Sequence, residues 1–295
     1  MSRGERFALG SIALGCLVLG LKGAAWWLTG SAALYSDALE STVNVAASVV
    51  AFIALRFAAM PADANHPYGH DKAEFFAAVI EGVMIVVAAL SIFAHAWDVW
   101  HTPHPLAWPV QGLALNAVAT LINGGWSLVL GMVGKRIRSP ALVGDSRHLM
   151  ADVVTSLGIA AGLAVAILSG ILVLDAAIAA LTGLYVLWSG MHMITGSVGG
   201  LMDAAPEPAV LARIREIVAE AAAGAIEAHD LRTRSAGRLT FLQFDLVVPG
   251  TMTVAASHEI CDRIEEKLCA EMQHLVVTIH VEPEEKAHQR GVPVL

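Results

Sequence analysis

Four side chains stand out by type and spacing. Glu40 and Asn44 are four residues apart in one apolar stretch, and His148 and Asp152 are four apart in another. Residues i and i+4 share a helix face. Each pair therefore offers two ligand-bearing groups from one side of a helix. Two such faces, opposed, can close a four-ligand cage for a divalent transition metal such as Zn²⁺. Glu40 and Asp152 would supply two formal negative charges, Asn44 a neutral carbonyl and His148 an imidazole, which together neutralise a dication. Ionisable groups within a spanning helix are costly and mark a pathway or site. A lone Asn44 would be read as a hydrogen bond between helices; the paired arrangement favours a metal. Asp37, one turn earlier, reads either as an outer-vestibule carboxylate or as a helix-start residue.

Two further groups could hold metal. Asp63, His66 and His70 share a short loop with Pro61 and Pro67. Their side chains can converge as a facial O/N/N set, or the histidines can simply meet water. In the polar tail stand His229, Asp245, His258, His280 and Glu282. His280 and Glu282 are i, i+2 on an expected strand and share a face. His229 and Asp245 fall on other expected strands and His258 on a helix. The competing reading is an acidic surface that solvates itself. Cys261, three residues after His258, reads as core. His95, His101 and His104 sit near the outer face, and His192 is expected to meet a neighbouring helix.

The elements that must carry these residues follow from composition. The chain has 295 residues, 56% apolar and only 15% charged, and its mean hydropathy is +0.64. A water-facing domain carries roughly 25% charged residues, so most of this chain belongs in a bilayer. A span needs about 20 apolar residues. Six stretches qualify, near 7–29, 31–58, 75–98, 108–134, 141–169 and 172–198. Arg3, Arg6, Lys72, Lys135, Arg136 and Arg138 fall on one side of a six-span arrangement, and the opposite loops hold no Lys or Arg. By the positive-inside rule, the N-terminus, the even-numbered junctions and the tail are cytoplasmic. Trp26, Trp27, Trp97, Trp100 and Trp108 cluster at the other ends, as an interfacial belt would.

Residues 206–295 differ in grammar. They hold 9 of the 18 basic and 14 of the 26 acidic residues. The pattern reads helix 208–223, strands 225–234 and 238–248, helix 253–270 and strand 274–282, a small α+β domain of split βαβ type. The expected division is a transmembrane domain over 1–205, a metal-binding domain over 206–285 and a flexible tail over 286–295. Three thiols without CxxC spacing suit a reducing compartment. The formal net charge of −8 excludes the basic face of a nucleic-acid partner. HExxH and GxSxG are absent, which disfavours an intramembrane metallohydrolase and an enzyme generally.

Several segments, in order, resemble the cation diffusion facilitators. They are Ser36-Asp37-Ala38-Leu39-Glu40-Ser41 with Asn44, the run from Pro61 through His66-Pro67-Tyr68-Gly69-His70 to Glu74, His148-Leu149-Met150-Ala151-Asp152, and His229-Asp230-Leu231-Arg232-Thr233-Arg234. The resemblance covers nearly the whole chain. It implies six transmembrane helices followed by a cytoplasmic ferredoxin-like domain, a homodimer in the inner (plasma) membrane, and proton-coupled export of divalent metal. It implies a second metal site in the 61–74 loop and a metal pair bound by the tail at the dimer interface. Metal is then substrate and tail ligand, with no cofactor, and the other partners are protons and membrane lipid. Zinc-specific members carry Asp or His at the position of Glu40 and Asp at that of Asn44. The Glu/Asn pair therefore leaves Fe²⁺, Cd²⁺, Co²⁺ and Mn²⁺ open beside Zn²⁺. A non-transporting metal sensor is the rival reading, and a site at membrane depth speaks against it. Lys72 and Asp203 are expected to pair where the sixth span meets the tail.

Overall fold

The computed structural model describes residues 3–103, 105–136, 140–237, 239–272, 274–287 and 292–293. His104 and Arg138 lie outside the described residues. Six long helices come first, α1 (Arg3–Thr29), α2 (Ala32–Ala58), α3 (Ala73–His101), α4 (Pro109–Arg136), α5 (Pro140–Ser169) and α6 (Val173–Leu201). All six are long and apolar enough to cross a membrane. The chain divides into two compact units, Met1–Ile53 with Ala77–Thr195, and Ala54–Phe76 with Gly196–Leu295. The second unit thus takes in the 61–72 loop and the end of α6, where the sequence pattern had suggested a single cut near 205.

In the first unit, small residues let helices touch. A side chain on Gly82 of α3 would meet the Gly190 carbonyl of α6 at 3.1 Å, and one on Gly190 would meet the Gly82 carbonyl at 3.1 Å. Polar pairs set register elsewhere. Ser127 Oγ donates to the Ser146 carbonyl at 2.7 Å, and Ser146 Oγ donates back to the Ser127 carbonyl at 2.9 Å. This exchange ties α4 to α5 just ahead of His148. The start of α2 is held from α6. Asp175 accepts from Ser31 Oγ at 2.5 Å and from the backbone N–H groups of Ala32 and Ala33 at 2.7 and 3.1 Å. A carboxylate there satisfies orphan donors and meets the positive end of the helix dipole. It therefore fixes the helix that carries Glu40 and Asn44. Trp27, Trp97, Trp100 and Trp108 are all exposed, as residues of an interfacial belt must be.

The C-terminal domain runs α7 (Pro208–Ala221), β1 (Glu227–Ala236), β2 (Leu239–Val248), α8 (Val254–Glu271), β3 (Leu275–Pro283), a 3-10 turn (Glu284–Lys286) and β4 (Val292–Pro293). Sheet order is β3-β2-β1-β4. β1 and β2 form an antiparallel hairpin, and β3 returns parallel to β2 after α8, which is the ferredoxin-like connection expected. The residues expected as a loose tail instead include β4, which pairs with Glu227 and Ala228 of β1. Ile214, Ile217, Val218, Ala228, Leu242, Phe244, Leu246, Ile260, Cys261, Ile264 and Leu268 form one buried core. Both helices thus cover one face of the sheet. Alternation then sends residues 229, 245, 280 and 282 to the other face. Cys261 is core, as read from the sequence. Burial, followed by the nearby Glu265 and Asp262 charges, pushes its thiol up.

Candidate metal sites

Glu40 and Asn44 from α2 and His148 and Asp152 from α5 line one cavity of about 70 Å³, walled further by Ile85, Ala88, Tyr185, Val186 and Ser189. Asn44 Nδ2 donates to Asp152 Oδ2 at 2.6 Å. Asp152 is buried, His148 is solvent-accessible, and Glu40 Oε2 is buried with no hydrogen-bond partner among the described residues. Such an acceptor is costly to leave unpaired, and a cation would satisfy it. Asn44, His148 and Asp152 also line a second, adjoining cavity of about 40 Å³ with Ser11, Gly15, Ser48 and Asn123. Among the described residues, three or more ligand atoms of His, Cys, Asp and Glu converge within 4.8 Å in two groups, and Glu40, His148 and Asp152 are not one of them. The membrane four therefore surround a space without closing on it.

The first convergent group is Asp63, His66 and His70. Asp63 Oδ1 lies 3.1 Å from His66 Nδ1, and Asp63 Oδ2 lies 3.4 Å from His70 Nε2. The loop makes this geometry itself, because Asp63 Oδ1 accepts from the backbone N–H groups of Asn65 and His66 at 2.9 and 2.7 Å. Those bonds, the His66 N–H foremost, hold its carboxyl below the usual carboxylate range. His70 is 5% exposed and packs edge-on against Phe57 at 4.8 Å. The loop is anchored onward. Lys72 Nζ donates to Asp203 at 2.9 Å, the pair anticipated from sequence. Arg234 lies 3.8 Å from Asp203 and stacks over Tyr68 and Phe241 at 4.9 and 4.3 Å.

The second group is His229, Asp245 and Glu282. His229 Nε2 lies 3.5 Å from Glu282 Oε2 and 3.9 Å from Asp245 Oδ2, while its Nδ1 lies 3.2 Å from Glu227. A register shift between His229 and Arg232, with Asp230 at φ +52, marks a β-bulge at this point. Bulges commonly re-aim side chains beside sites. His280 joins only at the rim, exposed and 3.7 Å from Glu282. His258 is not brought to this group. It lies on the outer side of α8, 3.7 Å from Asp262 and largely exposed. The reason is that α8 packs its 257, 260, 261 and 264 face onto the sheet, while the cluster occupies the opposite sheet face.

Other expectations shift. Asp37 is neither a vestibule group nor a helix-start cap. It is fully buried and pairs with Lys22 at 2.8 Å, with further donors in Ser156 at 2.7 Å and Asn116. His192 stacks on Trp188 of its own helix at 5.7 Å. His101 contacts the Trp97 carbonyl at 2.9 Å, and His95 packs on Tyr35 at 4.5 Å. Sequence reasoning passed over Lys22 and Asp175. The signal was present, since each is a charge inside an apolar run and so demands a partner.

Comparison with known proteins gives a concordant result. Residues 8–202 match the cation efflux transmembrane domain, and residues 206–284 match the cation efflux protein, cytoplasmic domain. An uncharacterized transporter of Synechocystis sp. is 42% identical over 277 residues, covering 94% of this chain and 89% of its own. The cation-efflux pump FieF of Cronobacter sakazakii is 31% identical over 279 residues, covering 95% of this chain and 92% of its own. A solved metal-bound C-terminal domain of the CzcD transporter from Thermotoga maritima is 27% identical, covering 28% of this chain and 100% of its own, with a TM-score of 0.26.

Proposed function

Because the chain belongs to the cation diffusion facilitators, membrane transporters of the cation efflux type, we propose that it is a homodimeric antiporter in the plasma membrane. It exports a divalent transition metal from the cytoplasm in exchange for protons. The observation that carries this reading is the shared cavity of Glu40, Asn44, His148 and Asp152, two ligand pairs at membrane depth on facing helices. Zn²⁺ suits the imidazole and carboxylates, while the Asn44 carbonyl keeps Fe²⁺, Cd²⁺, Co²⁺ and Mn²⁺ within range.

On this reading the N-terminus, the 61–72 loop and the tail are cytoplasmic, which the distribution of basic residues supports. Support for cytoplasmic loading comes from the adjoining cavity, whose Ser11 and Ser48 lie toward the α1 start and the α2 end. Metal ligands bind in their deprotonated forms, so metal and protons compete for one set of groups. A cytoplasm-facing cage takes up the cation. Once the cage faces outward, protons displace the cation, and their inward flow drives the cycle. The loop and tail groups bind the same metals as accessory ligands. Metal at the acidic tail would cancel the repulsion between two copies at a two-fold interface.

The test is flux from proteoliposomes containing the purified protein, with a panel of metals and an imposed pH gradient. Uptake that follows the gradient and vanishes in Asp152→Ala is the expected result. Flux indifferent to the gradient would replace antiport by a channel, and bound metal without flux would make the protein a sensor.

A further inference from the structure

Lys22 is 2% exposed and Asp37 is fully buried, yet neither belongs to the cavity described above. Lys22 Nζ donates to Asp37 Oδ1 at 2.8 Å and to Ser156 Oγ at 2.9 Å. Ser156 Oγ in turn lies 2.7 Å from the same carboxylate oxygen, and the Asn116 amide meets the other oxygen. Four helices therefore contribute one group each. Burying an ion pair gains a fold little, because apolar residues of equal volume serve as well or better. Such a cluster in a bilayer calls for a function.

Its place suggests one. Asp37 lies one turn from Glu40 along α2, and Ser156 one turn from Asp152 along α5. The cluster is the next polar layer beyond the transport residues, toward the α1–α2 junction. Past it the helices meet through the apolar residues Ala25, Ala33, Leu34, Ile159 and Leu163, and the Asp175 carboxylate there is taken up by Ser31 and the start of α2. A second observation concerns ligand capacity. Asn116 is 1% exposed, and its Oδ1 has no hydrogen-bond partner among the described residues. The layer thus holds a carboxylate and a hydroxyl on one cation, the Lys22 ammonium, and an idle amide carbonyl on the residue that meets the other carboxylate oxygen.

We propose that Asp37, Asn116 and Ser156 form a second, all-oxygen divalent-cation site, which the Lys22 ammonium fills as a tethered cation in this conformation. Oxygen donors without imidazole or thiolate favour hard ions such as Mn²⁺. The inference rests on the export reading for its direction alone. On that reading, an ion leaving the Glu40/Asp152 cavity next displaces Lys22, and the returning ammonium prevents it from re-entering.

The experiment counts bound Mn²⁺ on the full-length purified protein by equilibrium dialysis and elemental analysis, so it needs no flux. Lys22→Met should bind one Mn²⁺ more per chain than wild type. Lys22→Met with Asp37→Asn, which removes both charges together, should return to the wild-type number. An unchanged count in folded Lys22→Met overturns the proposal. An extra ion that persists in the double variant also overturns it. Should Lys22→Met unfold in chelator, its melting is followed with Mn²⁺ present. Recovery of a cooperative transition, absent from the double variant, supports the site, and no recovery refutes it. A transport failure in wild type with these counts intact would sink the export reading and leave the site standing.

Discussion

Asn44→Asp is the sharpest perturbation of the transport cavity. Asn44 Nδ2 donates to Asp152 Oδ2 at 2.6 Å, and Asp152 is 4% exposed. The substitution removes that donor and sets two carboxylates against each other. Two unit charges about 4 Å apart at an effective dielectric near 20 repel by about 4 kcal/mol. Loss of a hydrogen bond to a charged group adds about 1.5–3 kcal/mol. A divalent ion between the carboxylates cancels the repulsion, and about 4 kcal/mol is roughly a thousandfold in a binding constant. Metal-free Asn44→Asp should therefore melt well below wild type, and divalent metal should restore most of the loss. Because a third carboxylate favours oxygen-loving ions, the gain should be larger for Mn²⁺ than for Zn²⁺. The assays are thermal melting in chelator and in metal, and competitive Mn²⁺/Zn²⁺ flux. Unchanged melting in chelator together with an unchanged flux ratio would place the Asn44 amide outside the ion's ligands and refute the argument.

Three other outcomes are expected. Asp152→Ala and His148→Ala should each abolish flux while leaving the fold intact. Asp152→Ala should lower the melting temperature more, since it strands Asn44, whereas His148 is accessible to solvent. The hydrogen bond from Lys72, reinforced by Arg234, holds the Asp203 carboxyl below the ordinary carboxylate range. Its contribution to stability is thus present above that range and fades as pH falls through the lowered value. The pair is partly exposed, so solvent screening keeps it below about 1 kcal/mol, and melting of Asp203→Asn should show a smaller acid dependence than wild type. Gly237 sits at φ +57, and a Cβ there would lie 2.6 Å from the Asp71 carbonyl. Gly237→Ala should cost at least about 1–2 kcal/mol from backbone conformation alone, seen as a lower melting temperature, and should weaken metal binding at the neighbouring 63–70 loop.

Much of the fold was legible because its signals are local. Length and apolarity alone mark six spans, and observed helix ends lie within a few residues of those expected. Alternation and helical periodicity marked α7, β1, β2, α8 and β3 in order, since one buried face must repeat along each element. The Glu40/Asn44 and His148/Asp152 pairs were visible because i, i+4 spacing is a property of one helix. The 61–72 loop was visible because its three ligands lie within eight consecutive residues.

Other features depend on which chain segments meet. Sequence could list His229, Asp245, His258, His280 and Glu282 as ligands, but only the sheet decides which face each takes. Pairing of His229 with Asp245, ahead of the bulge, sets His229 on the face of Glu282, while helix packing leaves His258 on the exposed flank of α8. The partner of Asp37 was likewise hidden. Lys22 is 15 residues away, Asn116 79 and Ser156 119, and no periodicity within one helix links them. Asp175 and the start of α2 are separated by 143 residues at the Ala32 contact. The sequence by itself determined that charges are placed in the bilayer, because each one interrupts an apolar run. Only tertiary structure decided which of them cancel as a buried pair and which remain around an open cavity, because that depends on helix faces packed from distant parts of the chain.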